Sequence, residues 1–283
     1  MDILKEITYP IQDDLDSFEN TLRELISGCD NFLRDDVMNF MFSSSKRLRP
    51  ILIFLFSKIL SIDSYLVQKI AIISELIHSA SLIHDDIIDE ADLRRNFPTL
   101  YAKYGTKIAV LEGDYLLSLA LDILSNTSLD ISRIYSARIK STILGELEQD
   151  KNLFQETSID AYIQKTFAKT GNIFMAGLEA LFTLSNRNEA LYKFMENYSI
   201  YFQLKNDIKD ISTDRKNGNY TLVMLYFLKD YKIDDINSVN LDKYIKKANE
   251  KINLYKENAI FALSKIKNSK YKDSLLKIVD LGL

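Results

Sequence analysis

Apolar residues recur at spacings of three and four along almost the whole chain, the period of amphipathic helices. Ile11, Leu15, Phe18, Leu22 and Leu25 form one such stripe, and the stretch from Phe32 to Phe42 repeats it. Ile51 to Leu60 is apolar on nearly every side, as in a buried helix, and Pro50 puts its boundary near Arg49. From Tyr65 to Ile88 the periodicity predicts a helix of about six turns. The charged stretch Asp89 to Arg95 and then Pro98 end it. Gly105 marks a turn, and Gly113-Asp114 opens the apolar run Tyr115 to Leu124. Further helices are predicted near 132–150, 159–184 and 188–212. The segment DRKNGNYT (214–221) is the most loop-like in the chain, and Lys-rich amphipathic helices follow it.

Composition agrees with this pattern. The 283 residues include only 8 Gly and 3 Pro, roughly a third of average usage. Tight turns demand those residues, so a many-stranded sandwich or barrel is excluded in favour of long helices. With 47% of residues hydrophobic and 11% aromatic, the chain can bury a core and is not disordered. No composition shift, repeat or low-complexity tract divides it, so one all-α domain over 1–283 is expected. The net charge of −4 gives no field for nucleic acid. One cysteine, Cys29, excludes an internal disulfide and suits a reducing compartment. No basic-then-apolar leader is visible, and Ile51 to Phe56 is far short of a transmembrane segment. A cytoplasmic location is the expectation.

The segment HSASLIHDDIIDEADLRRN (78–96) is where chemistry first shows. Asp85 and Asp89 are i and i+4, which puts two like charges on one helix face, a mildly unfavourable pairing by itself. Paired carboxylates are the oxygen ligands that Mg²⁺ prefers, commonly together with a substrate phosphate. His78 lies two turns earlier on the same stripe, and Arg94 and Arg95, the side chains best shaped for phosphate, follow. A second acidic cluster, Gln203, Asn206, Asp207, Asp210 and Asp214, occupies another predicted helix. Lys46, Arg47 and Arg49 precede a buried helix, and Lys169 and Thr170 stand beside Gly171. Each basic group alone reads as a solvated side chain; together they could complete a phosphate site.

In order along residues 40 to 225, these segments resemble the motifs of the trans-isoprenyl diphosphate synthases, the polyprenyl synthetase family. SKRLRP (45–50) is similar to GKRLRP, and SLIHDDIIDEADLRRNFPT (81–99) to the first aspartate-rich motif with its RRGxPT tail. GD (113–114), GELEQ (145–149), the segment from Tyr162 to Thr170, and FQLKNDIKD (202–210) resemble four further signatures, the last being the second aspartate-rich motif. The resemblance implies a bundle of long antiparallel helices around a central apolar cavity, and a homodimer. It implies three Mg²⁺ per active site: Asp85 and Asp89, with Asp86 in support, hold ions that grip the allylic diphosphate, and Asp207 and Asp210 position another. By the same resemblance Arg94, Lys169, Thr170 and Gln203 contact the allylic diphosphate or the early carbocation. Lys46, Arg49, His78 and Arg95 bind isopentenyl diphosphate.

Such chemistry suits these residue types. Ionising an allylic C–O bond puts charge on a leaving diphosphate that metals and cations stabilise, and a dry apolar cavity keeps water from the carbocation. Four positions depart from the family pattern: Asn206 for an aspartate, Asn219 for a diphosphate-binding lysine, and Ser45 and Asn96 for glycines. The first two predict weaker binding of the third metal or the allylic diphosphate. Ala80 and Ser81, five and four residues before Asp85, are small where short-product enzymes often carry an aromatic. A product of four or more isoprene units (C20 upward) is therefore expected. Two other readings are open: a terpene cyclase of the same fold, for which the four cations Lys46, Arg49, His78 and Arg95 have no use, and a weakly active or non-catalytic subunit of a heteromeric synthase.

Overall fold

The first apolar stripe folds as its spacing dictates. The computed structural model describes residues 3–28, 31–42, 45–151, 153, 155–209, 211, 218–233 and 239–282. Helix α1 (Ile3–Thr8) passes through a single 3-10 turn, Tyr9–Ile11, into α2 (Gln12–Ser27). Ile11, Leu15, Phe18 and Leu22 are buried, and Ile26, four residues on, completes the stripe in place of the half-buried Leu25. Helix α3 is Asn31–Phe42 and α4 is Leu48–Ile59. Pro50 sits in the first turn of α4, where its missing N–H leaves no bond unmade, and every residue from Pro50 to Ser57 is buried.

Helix α5 (Leu66–Ile88) realises the long predicted segment and buries thirteen residues. By length and mean hydropathy (1.4) it is apolar enough to cross a membrane, but 67% of that stretch is buried inside the protein. After it come two-residue strands, β1 (Leu93–Arg94) and β2 (Phe97–Pro98), paired antiparallel with Arg94 opposite Phe97. Their two-residue loop has Arg95 at φ 52° and Asn96 at φ 69°, the double left-handed turn that suits a hairpin. Asparagine tolerates that conformation well, which accounts for Asn96 in place of glycine.

Helix α6 (Leu100–Ser125) starts at Thr99, whose hydroxyl accepts from the Ala102 N–H at 3.0 Å. The turn expected at Gly105 appears as a kink within this helix, with φ 76° and ψ 173°. Gly113 lies in unbroken helix rather than opening a new one. There follow α7 (Leu129–Lys151), α8 (Ile159–Thr166), a π turn at Phe167–Gly171, α9 (Asn172–Phe182) and α10 (Glu189–Lys209). The helix predicted over 159–184 is thus two helices joined by a π turn. Helices α11 (Leu222–Leu228), α12 (Asp242–Ser264) and α13 (Lys270–Leu281) end the described chain.

The fold is all-α, and its contacts form two compact units where the sequence marks no boundary. One comprises Met1–Arg133 with Glu179–Asn186, the other Ile134–Leu178 with Arg187–Leu283. In the first, α5 packs against α2, α4 and α6, and α3 against α2 and α6. In the second, α10 packs against α8, the π turn, α11 and α12, and α13 lies against α12. Its core is aromatic: Phe194 stacks on Tyr198 at 5.5 Å, and Phe174 meets Tyr198 and Phe202 edge-on at 6.3 and 5.9 Å.

Candidate active site

The first unit holds ten of the fifteen predicted site residues, with the aspartates at the C-terminal end of α5. That end is an unfavourable place for carboxylates, because the last carbonyls of a helix already carry partial negative charge. The sequence nevertheless puts three aspartates there. Asp86 is buried, and Arg94 meets its charge, placing Nε and Nη2 each 2.7 Å from Oδ1. Asp86 therefore orients the arginine expected to touch the allylic diphosphate. Asp85 is half-buried and Asp89, which caps the helix, is exposed.

Two carboxylates one turn apart are a fit donor set for Mg²⁺. Among the described residues, no three His, Cys, Asp or Glu side chains converge into a ready-made metal cage. Mg²⁺ suits the sparser arrangement, since it is commonly held by one or two carboxylates and completes its shell with water and a substrate phosphate.

Farther back on α5 a cleft of about 240 Å³ opens, lined by Ser45, Glu75, His78, Arg94, Arg95 and Lys103 among others. His78 is half-buried and its pKa lies well below the ordinary 6.5, first through burial, then through Arg49, Arg95, Arg94 and Arg47. Its imidazole is thus neutral at physiological pH. Arg95 is lowered too, by burial and then by Arg94. A pocket that depresses its own cations calls for an anion. Lys46 is exposed beside Ser45, and Arg49 stands in the first turn of α4, near enough to act on His78.

The second unit arranges its own group. Thr170 Oγ1 donates to Gln203 Oε1 and Gln203 Nε2 to Asp207 Oδ1, both at 2.8 Å. The Tyr162 hydroxyl donates to the other Asp207 oxygen. Burial raises the Asp207 pKa, opposed by those hydrogen bonds and by Lys165 and Lys169. Lys169, in the π turn, reaches Glu146 Oε1 at 2.8 Å. Lys165 Nζ lies 3.4 Å from Asn219 Oδ1, so a lysine stands beside the position where the family's own is missing. Asp210 falls outside the described residues, as does Asp214.

Motif spelling does not reveal the roles of Tyr162, Glu146, Glu75 and Arg47. The available signal was weak: Tyr162 and Glu146 stand inside quoted motifs, and Arg47 is the one cation of SKRLRP given no ligand. As for chain length, Ala80 is 3% exposed, and Ser81 folds its hydroxyl back onto the His78 carbonyl at 2.8 Å. Neither side chain adds bulk beyond α5.

A family model described as polyprenyl synthetase matches residues 31–257. A prenyl transferase of Cyanophora paradoxa is 31% identical over 246 residues, covering 80% of this chain and 76% of its own. Component 2 of the Bacillus subtilis heptaprenyl diphosphate synthase is 30% identical, covering 77% and 68%. Among solved structures, a polyprenyl synthase from Caulobacter crescentus, complexed with calcium and isoprenyl diphosphate, superposes with a TM-score of 0.83. It is 22% identical and covers 99% of this chain and 97% of its own.

Proposed function

The chain belongs to the polyprenyl synthetase family, and we propose that it condenses isopentenyl diphosphate with geranyl, farnesyl or a longer allylic diphosphate. The product is a trans-polyprenyl diphosphate of four or more isoprene units, and the diphosphates are bound with Mg²⁺. One observation carries this reading: a single helix ends in a carboxylate pair and, two turns earlier, walls a cationic cleft around a neutral histidine. Asp85 and Asp89 hold Mg²⁺, which supplies charge neutralisation to the leaving diphosphate. Arg94, held by Asp86, contacts that diphosphate, and Lys169, Thr170 and Gln203 serve the same anion. His78, Arg95, Lys46 and Arg49 bind the diphosphate of isopentenyl diphosphate, with His78 as a neutral hydrogen-bond donor. The small pair Ala80 and Ser81 supports the long product, and the long-chain relative named above accords with it.

Exposed Val110 and Leu121, three turns apart on α6, and Ile143 and Leu147, one turn apart on α7, support a homodimer.

The test is incubation with Mg²⁺, isopentenyl diphosphate and each allylic primer, followed by product sizing, on the parent and on Asp85→Asn. Metal-dependent elongation by the parent, reduced at least about a hundredfold in D85N, is expected. Cyclic hydrocarbons would instead identify a cyclase. A second reading, a weakly active subunit of a heteromeric synthase, is favoured by Asn206 and by both oxygens of Asp207 being engaged. A relative that is itself a named component of a synthase also supports it. Silence of the chain alone, with activity gained on adding a partner chain, would establish it.

A further inference from the structure

The motif SKRLRP carries three cations, and the structure treats one of them differently. Arg47 is 8% exposed, whereas Lys46 beside it is exposed. Its guanidinium bridges two helices: Nη1 reaches Glu75 Oε1 on α5 at 2.7 Å, and Nε reaches Glu19 Oε1 on α2 at 2.6 Å. Nη2 adds a longer bond to Glu19 Oε2 at 3.3 Å. The rings of Phe42 and Phe18 lie 4.9 and 5.8 Å away, beside the charge. Burial alone would lower its pKa, but Glu75 and Glu19 more than offset this and raise it. Three of its five N–H groups are committed to these two carboxylates, and Arg47 is not among the residues lining the cleft.

Its backbone is equally committed. Arg47 sits at φ 52°, ψ 34° as the residue before α4, a left-handed conformation that costs a side-chain-bearing residue of order 1–3 kcal/mol and persists only where its surroundings enforce it. Here the enforcement is the two-carboxylate fork. Ser45 on the other flank of Lys46 also donates to Glu75 Oε1, at 3.2 Å. The three-residue turn carrying Lys46 is thus tied at both ends to Glu75, one helical turn before His78, and Arg49 is launched from the same turn.

We propose that Arg47, with Glu75 and Glu19, is a positioning device: a buried clamp that fixes the Lys46–Arg49 turn against His78 and so sets affinity for isopentenyl diphosphate without touching it. This deepens, and rests on, the reading of the cleft as the site of that substrate. A guanidinium is needed because one planar fork must meet two carboxylates on different helices, which an ammonium cannot do in fixed geometry. First-contact groups held this way lose affinity when their support is removed.

The experiment titrates isopentenyl diphosphate by calorimetry into the parent, R47K, R47M and E19Q, with the KM values of both substrates measured alongside. Lys46→Ala and His78→Ala serve as reference variants. Thermal unfolding identifies the folded variants, and E19Q is included because Glu19 lies outside the cleft and half of the clamp survives its loss. The expected result is a weakening of about tenfold or more in R47M, with about threefold in R47K and E19Q. These losses should appear in the isopentenyl diphosphate KM and leave the allylic KM within about twofold. If R47M does not fold, R47K and E19Q decide alone. Parent-like binding in R47K and E19Q, while K46A and H78A lose affinity, would overturn the clamp and leave the site standing. Equal rises in both KM values would also overturn it, since a merely structural residue predicts that. Parent-like binding in K46A and H78A would overturn the site itself and the clamp with it.

Discussion

Glu112 is a buried acid in the middle of α6, and replacing it with glutamine should stabilise the protein in a manner that depends on pH. The side chain is 1% exposed, and its Oε2 has no hydrogen-bond partner among the described residues. Burial, then the charge of Asp36, push its carboxyl from the ordinary 4.5 up to about 7, with Lys103 opposing. Between those values the folded chain keeps a proton that the unfolded chain has released. The folded state therefore binds more protons, and stability must fall as pH rises through that window. At roughly 1.4 kcal/mol per pH unit, the interval from 4.5 to about 7 amounts to about 3 kcal/mol. Glutamine has the shape of the protonated acid and never ionises. Urea unfolding of parent and E112Q, followed by helical circular dichroism from pH 4 to pH 8, should give a stability difference that is flat at the acid end. It should grow in favour of E112Q to about 3 kcal/mol by pH 8. A difference that stays constant across the range would refute the buried-acid argument.

Three other outcomes are expected. Ala80→Phe should shift products to shorter chains with primer use retained, at a cost of about 1–3 kcal/mol from overpacking a buried position; an unchanged product length in the sizing assay would place the limit elsewhere. Asn206→Asp adds a charged oxygen ligand and should lower the Mg²⁺ concentration for half-maximal activity; an unchanged or higher requirement counts against that residue as a metal ligand. Gly113→Ala brings a Cβ within 2.4 Å of His84 Nε2, forcing α5 and α6 apart or His84 aside. A loss of about 1–3 kcal/mol in urea unfolding is expected, and parent-like stability would show that His84 moves freely.

Much of the fold is legible in the sequence because burial imposes a period on long helices: α2, α4 and α5 lie where the apolar spacing puts them. What escapes is what leaves the period nearly untouched. A two-residue strand is too short to alternate, so the hairpin carrying Arg95 was invisible, although Asn96 supplied the turn chemistry. Glu112 sits in an apolar run where a charged residue reads as the solvent face, and only packing shows that it points inward. At the site, motif spelling identifies residues but not directions. Lys46 and Arg47 are adjacent cations, one exposed and one buried, and the difference depends on Glu19 and Glu75, 28 positions away on either side. Tyr162 meets Asp207 from 45 positions away, beyond the reach of any local pattern.

The π turn at Phe167–Gly171 bears on how this protein tolerates change. A π turn is an α-helix with one residue too many. Deleting Ala168 would let the segment relax to regular helix with the helices on either side keeping their facing, whereas the same deletion in a regular stretch turns everything beyond it by roughly 100°. Phe174 would then keep its edge-on contacts with Tyr198 and Phe202. Point substitutions keep the surplus residue, whereas a single-codon deletion abolishes it. Along these five residues one amino acid is surplus to the helix, so deletion scanning should find a tolerated position here that the regular helices on either side do not offer.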